Sequence, residues 1–284
     1  MLLTRRTFVM AGAAAVVAQS QPKKLAGLKI GVTDWNLRLT ARLEAVALAA
    51  TLGFDDVEIS LGAKQVDGKL PLDNAELQAK YLEELRNHKI AAAGTCLDIL
   101  HVNWLKSDKL GQKWIADGIP ITKRLNANVM LLPFFGKGAL KTHEEMDYVG
   151  DVLRDLAPEA EKAGVVLALE NTISAEDNVR IMERAKSNAV KVYYDVGNST
   201  NGGFDILKEI RWLGRDRICQ MHLKDRGYLG EGKIDFPAVI QAMAEIDFRG
   251  FANLETGAPS GSVDSDMKRN LAFIRSLVEK VRHG

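Results

Sequence analysis

Four ionisable side chains stand at the ends of four apolar stretches in the second half of the chain. The composition of each stretch predicts a β-strand, and each stretch ends in a group that can ligate a metal. Charged groups are rarely buried unless they are paired or bind a metal, so four in such positions indicate a shared site. They are Glu170 in LALEN, Asp195 in YYDVGN, His222 in MHLKD and Glu255 in NLETG.

Three carboxylates and one imidazole form a mixed and fairly hard ligand set. Such a set suits Mn2+, Mg2+, Co2+ or Zn2+, and it does not suit Cu(I) or an iron–sulfur cluster. We therefore expect one divalent metal ion as the cofactor. The alternative is a network of buried salt bridges at the rim, in which Lys224 and Arg226 neutralise the carboxylates.

These residues need a framework that brings successive strand ends to one point. From residue 28 onwards, short β-rich runs alternate with amphipathic runs, and most β-rich runs are continuously apolar, as in buried parallel strands. Eight such units predict an α/β fold, a (β/α)8 TIM barrel, whose active site lies at the carboxyl ends of the strands. No GxGxxG motif follows the first strand, which disfavours an open dinucleotide-binding sheet. The predicted strands cover residues 28–35, 54–60, 90–96, 129–133, 165–170, 190–195, 218–224 and 251–255.

The amphipathic runs predict helices between the strands. Gly164 is placed to end one of them, and Asp205 and Ser262 are placed to begin two others. No linker divides the chain after the first twenty residues, so we expect a single domain. The predicted helices cover residues 74–87, 143–164, 205–212, 236–246 and 264–281.

The first twenty residues have the layout of an export signal. Arg5 and Arg6 precede an alanine-rich apolar run, and small residues up to Ser20 mark a cleavage site. The string TRRTFVM resembles a twin-arginine signal. We expect a signal peptide over residues 1–20, the barrel over residues 21–284, and a periplasmic or extracellular protein without stable membrane association. A membrane anchor is the alternative for this segment.

The overall charge and the cysteines give no sign of a nucleic-acid partner or of a disulfide. The 284 residues include 38 basic and 37 acidic side chains, so net charge gives no sign of a nucleic-acid partner. Cys96 and Cys219 fall on predicted strands 3 and 7, far apart around a barrel, and we expect no disulfide between them.

The chain resembles the xylose isomerase-like barrel superfamily of sugar isomerases and epimerases, including the ketose 3-epimerases. The resemblance covers roughly residues 28–280 and rests on the four strand-end motifs, on GFDDVEIS at the second strand, and on GEG at 230–232 with IDF at 234–236. It implies that Glu170, Asp195, His222 and Glu255 are the metal ligands. It also implies that the two glutamates form the acid/base pair of an epimerase.

The implied reaction moves a proton at a carbon next to a carbonyl. The metal polarises the carbonyl and its neighbouring hydroxyl as a Lewis acid, which acidifies the C–H bond. One glutamate removes the proton to give a metal-stabilised enediolate, and the other returns a proton. Return to the opposite face of the same carbon is epimerisation, whereas transfer to a neighbouring atom is isomerisation.

Other residues near the predicted rim are candidates for binding the substrate. Each also has a plainer explanation, such as a charge at a helix start, an ion pair or a ring in the barrel wall. Glu58, near the end of strand 2, could reach the pocket, although a plain salt bridge at the rim is the favoured explanation. Trp104 lies with His101 in the long loop after strand 3, and its ring is likewise a candidate for contact with a sugar. The predicted substrate-binding residues are Trp35, His101, Glu176, Asn198, Lys224 and Arg226.

Two functions stay open on the sequence. The first is a metal-dependent isomerase or epimerase of a sugar or sugar-like substrate, and export favours a substrate without phosphate. The second is a metal-dependent lyase or hydratase that acts on 3-keto-glycosides through the same enediolate.

Two further functions fit the sequence poorly. An endonuclease IV-like repair enzyme would need a histidine-rich multi-zinc site and a basic surface, and this chain has five histidines and a nearly neutral balance. A non-catalytic sugar-binding module would not need the acid/base glutamates. We expect a small-molecule sugar as the partner and no nucleic acid, and the sequence leaves homo-oligomerisation open.

Overall fold

Eight parallel strands close into a barrel in the computed structural model, which describes residues 25–283. Each strand pairs with the next one along the chain, and β8 (Gly250–Leu254) pairs with β1 (Leu28–Thr33). The predicted TIM barrel is confirmed. The other strands are β2 (Asp56–Ser60), β3 (Ala91–Cys96), β4 (Val129–Pro133), β5 (Val166–Glu170), β6 (Val190–Asp195) and β7 (Ile218–Leu223).

Helices surround the barrel, and the main hydrophobic core lies between them and the outward faces of the strands. The five predicted helices coincide with α2, α4, α7, α8 and α9 to within a few residues. Gly164 ends α4 with a φ of 70°, and Asp205 caps α7, as predicted. The helices are α1 (Glu44–Leu52), α2 (Ala75–His88), α3 (Lys109–Arg124), α4 (His143–Ala163), α5 (Ala175–Ala185), α6 (Val196–Asn201), α7 (Ile206–Arg217), α8 (Phe236–Glu245) and α9 (Val263–His283).

The inside of the barrel has an apolar half and a polar half. Residues of β3 to β6, among them Val129 and Leu131, form a second apolar cluster inside the barrel. Strands β1, β2, β7 and β8 instead contribute a glycine and, besides Thr33, Ser60 and His222 near the strand ends, four buried polar side chains. Gly31 leaves room for them, because a Cβ there would stand only 1.7 Å from Asp56 Oδ1 and 2.3 Å from Asn253 Oδ1. The four polar residues are Asp56, Glu58, Gln220 and Asn253.

Two irregularities in strand register lie on β3 and β7. The pairing of β2 with β3 skips Ala93, and the pairing of β6 with β7 skips Cys219. Gln220 donates its amide hydrogen to the carbonyl oxygen of Ala93, which links the two irregular positions across the barrel. Since a bulge redirects the side chains that follow it on its own strand, Gln220 and His222 owe their inward orientation to the skip at Cys219.

The remaining predictions about topology concern the cysteines and the leader. Cys96 lies on β3 and Cys219 on β7, as predicted, and both are free. Among the helices of residues 25–283, none is long and apolar enough to cross a membrane. The predicted signal peptide, residues 1–20, lies outside the described residues, so export stays a prediction.

Candidate metal centre

The structure brings together the four residues that end the apolar strands. One ligand atom from each of Glu170, Asp195, His222 and Glu255 lies within 4.8 Å of every other. His222 Nδ1 is at the centre of the group, 2.9 Å from Glu170 Oε1, 3.8 Å from Glu255 Oε2 and 4.0 Å from Asp195 Oδ2. Three carboxylates and one ring nitrogen thus face a common point.

The parallel arrangement of β5 to β8 accounts for this convergence. Glu170 and Asp195 are the last residues of β5 and β6, and His222 lies near the end of β7. Glu255 follows β8 directly, and its backbone N–H donates to the carbonyl oxygen of Leu223 at 3.1 Å, which continues the sheet. Because all four strands run in one direction, their carboxyl ends share one rim of the barrel.

Asp195 shows that a cation fits this group. Its Oδ1 accepts the backbone N–H of Asn198 at 2.7 Å, but its buried Oδ2 has no hydrogen-bond partner among the described residues. Burial, together with Glu255 and Glu170, raises the pKa of Asp195 well above its usual value. Burial also raises the pKa of Glu170. A divalent ion would ligate the orphaned oxygen and offset the buried negative charge.

Lys224 supplies positive charge to the same group. Its Nζ lies 2.7 Å from Glu255 Oε2 and 3.7 Å from Asp195 Oδ2. Burial opposes ionisation of Glu255, but His222 and Lys224 outweigh burial and lower the pKa of Glu255 to about 2. One half of the alternative salt-bridge network is therefore present. The other half is not, because Arg226 forms no ion pair with these carboxylates within the described part of the chain.

Two more predicted substrate-binding residues contact the ligands. Trp35 donates its indole N–H to Glu255 Oε1 at 3.1 Å, and its ring meets the His222 ring edge-on at 5.8 Å. Asn198 donates its amide to Glu170 Oε1 at 3.4 Å. Each acid/base candidate therefore has a neutral hydrogen-bond donor beside it.

Three predicted residues lie farther from the ligand group. Glu176 is exposed in the first turn of α5, Arg226 is exposed after β7, and the exposed ring of His101 stacks on Phe135. Across residues 25–283, none of these three forms a hydrogen bond or ion pair with the four ligands. Trp104 donates to the carbonyl of His101 and belongs to the same loop. Their roles in substrate binding stay predictions.

A cavity of about 490 Å3 opens beside Lys224 and is also lined by Arg226 and Lys233. This volume is typical of small-molecule sites. Asp225 holds one wall, since its carboxylate accepts the backbone N–H groups of Gly232 and Lys233, both at 3.2 Å. A Cβ at Gly232 would stand 1.8 Å from Asp225 Oδ1, which explains the second glycine of the GEG motif.

Glu58 has a place that the sequence did not reveal. It is fully buried inside the barrel, and its Oε2 lies 2.9 Å from His222 Nε2. The rim salt bridge considered for it is therefore wrong as to place, because Glu58 meets His222 inside the barrel. Its position between Val57 and Ile59 in a buried strand was the available signal, because an acid in such a run must have a buried partner.

The sequence pattern of the xylose isomerase-like TIM barrel family matches residues 46–277. The chain belongs to this family. A curated protein similar to this chain is the 2-epi-5-epi-valiolone 7-phosphate 2-epimerase of Actinoplanes sp. strain SE50/110. The two are 26% identical over 204 residues, which cover 69% of this chain and 72% of the relative.

Solved structures repeat the fold at lower identity. D-psicose 3-epimerase with D-tagatose, from Clostridium cellulolyticum H10, is 18% identical with a TM-score of 0.73, and covers 88% of this chain and 99% of its own. The IolI protein with a bound zinc atom is 17% identical with a TM-score of 0.71, and covers 89% of this chain and 99% of its own. At such identities the likeness shows the barrel fold alone.

Proposed function

We propose that this chain is a metal-dependent isomerase or epimerase of a non-phosphorylated sugar or sugar-like molecule. The observation that carries the proposal is the convergence of Glu170, Asp195, His222 and Glu255. Lys224, which contacts Glu255, also lines the open cavity beside them. The likeness to an epimerase structure with D-tagatose and to a zinc-containing barrel supports both the reaction class and the metal.

The chain's own residues divide the work. A bound divalent metal would act as a Lewis acid toward the substrate's carbonyl and neighbouring hydroxyl and so stabilise an enediolate. Asp195 and His222 would hold the metal, while Glu170 and Glu255 would both ligate it and exchange protons with the substrate carbon. Lys224 and Asn198, which already contact these glutamates, are placed to donate hydrogen bonds to substrate oxygens.

The absence of a phosphate from the substrate rests on the predicted export signal. Phosphorylated sugars are mainly cytoplasmic, so an exported enzyme should meet free sugars, keto-sugars, cyclitols or glycosides. The curated relative is named for a phosphorylated substrate. Free and phosphorylated forms of one ketose, assayed side by side, test this part: a higher kcat/KM for the phosphorylated form would contradict it.

Isotope exchange tests the reaction itself. The protein is stripped of metal with a chelator, reloaded with Mn2+, Mg2+, Co2+ or Zn2+, and incubated with a panel of free ketoses in D2O. We expect a new epimer or isomer that carries one solvent deuterium at the inverted or newly protonated carbon, and no product in the stripped protein. Product formed at full rate without metal would contradict the proposal.

Glutamine variants test the proton-transfer assignment. Glu170→Gln and Glu255→Gln keep the size of the side chain but remove the base, and we expect turnover to fall by about 10²–10⁴-fold. Glu159→Gln on the exposed face of α4 is the matched control and should keep full turnover. If both site variants also kept full turnover, the assignment would be wrong.

A lyase or hydratase acting on 3-keto-glycosides is the second candidate. The same ligands would serve it, and the cavity beside Lys224 is large enough for a ligand bigger than one sugar ring. Incubation with 3-keto-glucosides separates the two functions. An epimerase returns an intact glycoside with one inverted carbon, whereas a lyase releases the aglycone.

A further inference from the structure

Glu58 and the metal-ligand group lie on opposite sides of the His222 ring. The Glu58 side chain is fully buried, and its Oε2 lies 2.9 Å from Nε2 of His222. The other ring nitrogen, Nδ1, lies 2.9 Å from Glu170 Oε1. The imidazole therefore bridges a buried carboxylate and the candidate metal centre.

Three donors converge on this one oxygen of Glu58. Besides His222, the Tyr193 hydroxyl donates to Oε2 at 2.8 Å, and the Asn253 amide donates at 3.1 Å. The second amide hydrogen of Asn253 is directed at the Tyr193 oxygen at 2.9 Å, which leaves the tyrosine hydrogen for Glu58. Because a carboxylate only accepts hydrogen bonds, the hydrogen between Glu58 and His222 belongs to Nε2.

Two aromatic rings keep the imidazole in the same orientation. The Tyr193 ring lies 4.3 Å from the His222 ring and is tilted by 47°, and the Trp35 ring meets it edge-on at 5.8 Å. His222 is itself fully buried. Packing therefore resists rotation of the ring, and the hydrogen bond to Glu58 selects which nitrogen carries the hydrogen.

We propose that Glu58 is a positioning residue for the metal centre. It would hold His222 in the tautomer with the hydrogen on Nε2, so that a bound metal would replace the hydrogen that Nδ1 otherwise shares with Glu170 and would receive the Nδ1 lone pair. Its carboxylate also makes the imidazole a more basic ligand. Glu58 acts through His222 and does not touch the substrate. The inference rests on the metal dependence in the proposed function.

Two substitutions separate the hydrogen bond from the charge. Glu58→Gln keeps the size and one acceptor oxygen but removes the charge, whereas Glu58→Leu removes both. In a competition titration of Zn2+ against a chelator, we expect the Kd of the leucine variant to rise by about 10–100-fold. The glutamine variant should show a smaller rise, and it serves as the test if the leucine variant fails to fold.

The 15N signals of the His222 ring nitrogens report the tautomer directly, and a general loss of stability would not change them. In protein labelled with 15N-histidine and loaded with Zn2+, the His222 signals are identified by their loss in His222→Asn. We expect the parent to show a protonated Nε2 and a metal-bound Nδ1. Glu58→Gln should keep this pattern, and Glu58→Leu should lose the protected Nε2–H signal.

Glu209 offers a matched control on the outer side of the barrel. It is also buried, and it accepts the Tyr194 hydroxyl at 2.7 Å and the Ala175 N–H at 2.8 Å. Glu209→Gln should therefore change stability and leave the Zn2+ affinity unchanged.

The outcomes distinguish this inference from the proposed function. Unchanged Zn2+ affinity and unchanged ring signals in every folded Glu58 variant would overturn the positioning role. A parent protein that binds Zn2+ tightly but converts no sugar would contradict the proposed function alone. A parent that binds none of the four metals would overturn both.

Discussion

At the scale of single residues, Lys224 should have two opposite effects on the candidate metal centre: it neutralises the carboxylates, and it repels a cation. Its ammonium group lies 2.7 Å from Glu255 Oε2, and the charges of Glu255 and Asp195 raise its pKa although burial opposes this. The same positive charge that neutralises these carboxylates also repels an incoming divalent ion. We therefore expect Lys224 to lower the affinity of the site for a metal and to offer a hydrogen-bond donor to a substrate.

Removal of this charge should affect metal and substrate differently. We expect Lys224→Met to bind Mn2+ about tenfold more tightly, because a nearby unit charge no longer repels the ion. The same variant should have a higher KM for the sugar. Metal titration and steady-state kinetics measure the two effects, and Lys208→Met on α7 is the surface control. Weaker metal binding in Lys224→Met would contradict the prediction.

At the scale of elements, the turn after β1 is held by a buried carboxylate. Asp34 Oδ2 accepts the backbone N–H groups of Ser60 and Ala41, both at 2.9 Å, and its Oδ1 accepts the Ser60 hydroxyl at 2.7 Å. The next residue, Trp35, donates to Glu255. Asp34 thereby fixes the turn from which the indole reaches the ligand group.

This turn should make stability depend on pH. Burial raises the pKa of Asp34 to about 7, although the hydrogen bonds from Ser60 and Ala41 lower it. The ordinary value in the unfolded chain is near 3.8, so the group's contribution to stability is complete below that pH and is lost as the pH rises through 7. Above neutral pH the folded protein holds an uncompensated buried charge.

Asp34→Asn should remove this dependence, because asparagine can accept both backbone N–H groups and donate to Ser60. The free energy of unfolding of the variant, relative to the parent, should rise by about 2 kcal/mol between pH 5 and pH 8. Urea unfolding in the presence of a chelator measures it, with Asp67→Asn in an exposed loop as the control. An equal pH slope in parent and variant would show that Asp34 does not titrate in this window.

The ends of the strands could be predicted from the sequence, whereas the register between strands could not. Glu170, Asp195, His222 and Glu255 could be predicted because each ends an apolar run, and the ends of parallel strands meet. The contact between Glu58 and His222 could not be predicted, since the direction of the end of β7 depends on a register skip at Cys219 of that strand. A shift of one residue turns a strand's side chains to the opposite face, and no local pattern marks such a skip.

At the scale of the whole molecule, the two halves of the barrel contribute differently. The four candidate metal ligands come from β5 to β8, whereas the first half supplies groups that contact them, namely Trp35 after β1 and Glu58 on β2. Because β8 pairs with β1, the support reaches the ligands across the closure of the sheet. The centre therefore depends on the closed barrel and not on the second half alone.

This architecture concentrates buried negative charge, and a bound metal should stabilise the entire fold. At a metal concentration of about 100 times the Kd, linkage adds about 2.7 kcal/mol. For a chain of this size, that raises Tm by roughly 5–10 °C. Scanning calorimetry of the chelator-treated and Mn2+-loaded parent measures the rise, and an unchanged Tm would contradict it.

Asp195→Asn should separate stability from function at this scale. Burial with Glu170 and Glu255 raises the pKa of Asp195, and its Oδ2 has no hydrogen-bond partner among the described residues, so its ionised form costs stability when metal is removed. In chelator at pH 8, we therefore expect the variant to melt a few degrees above the parent. With Mn2+ added, the parent should overtake it, because the variant has lost a ligand. Asp216→Asn on the surface should follow the parent in both conditions, and an Asp195→Asn variant that melts below the parent in chelator would show that the four ligands do not strain the metal-free fold.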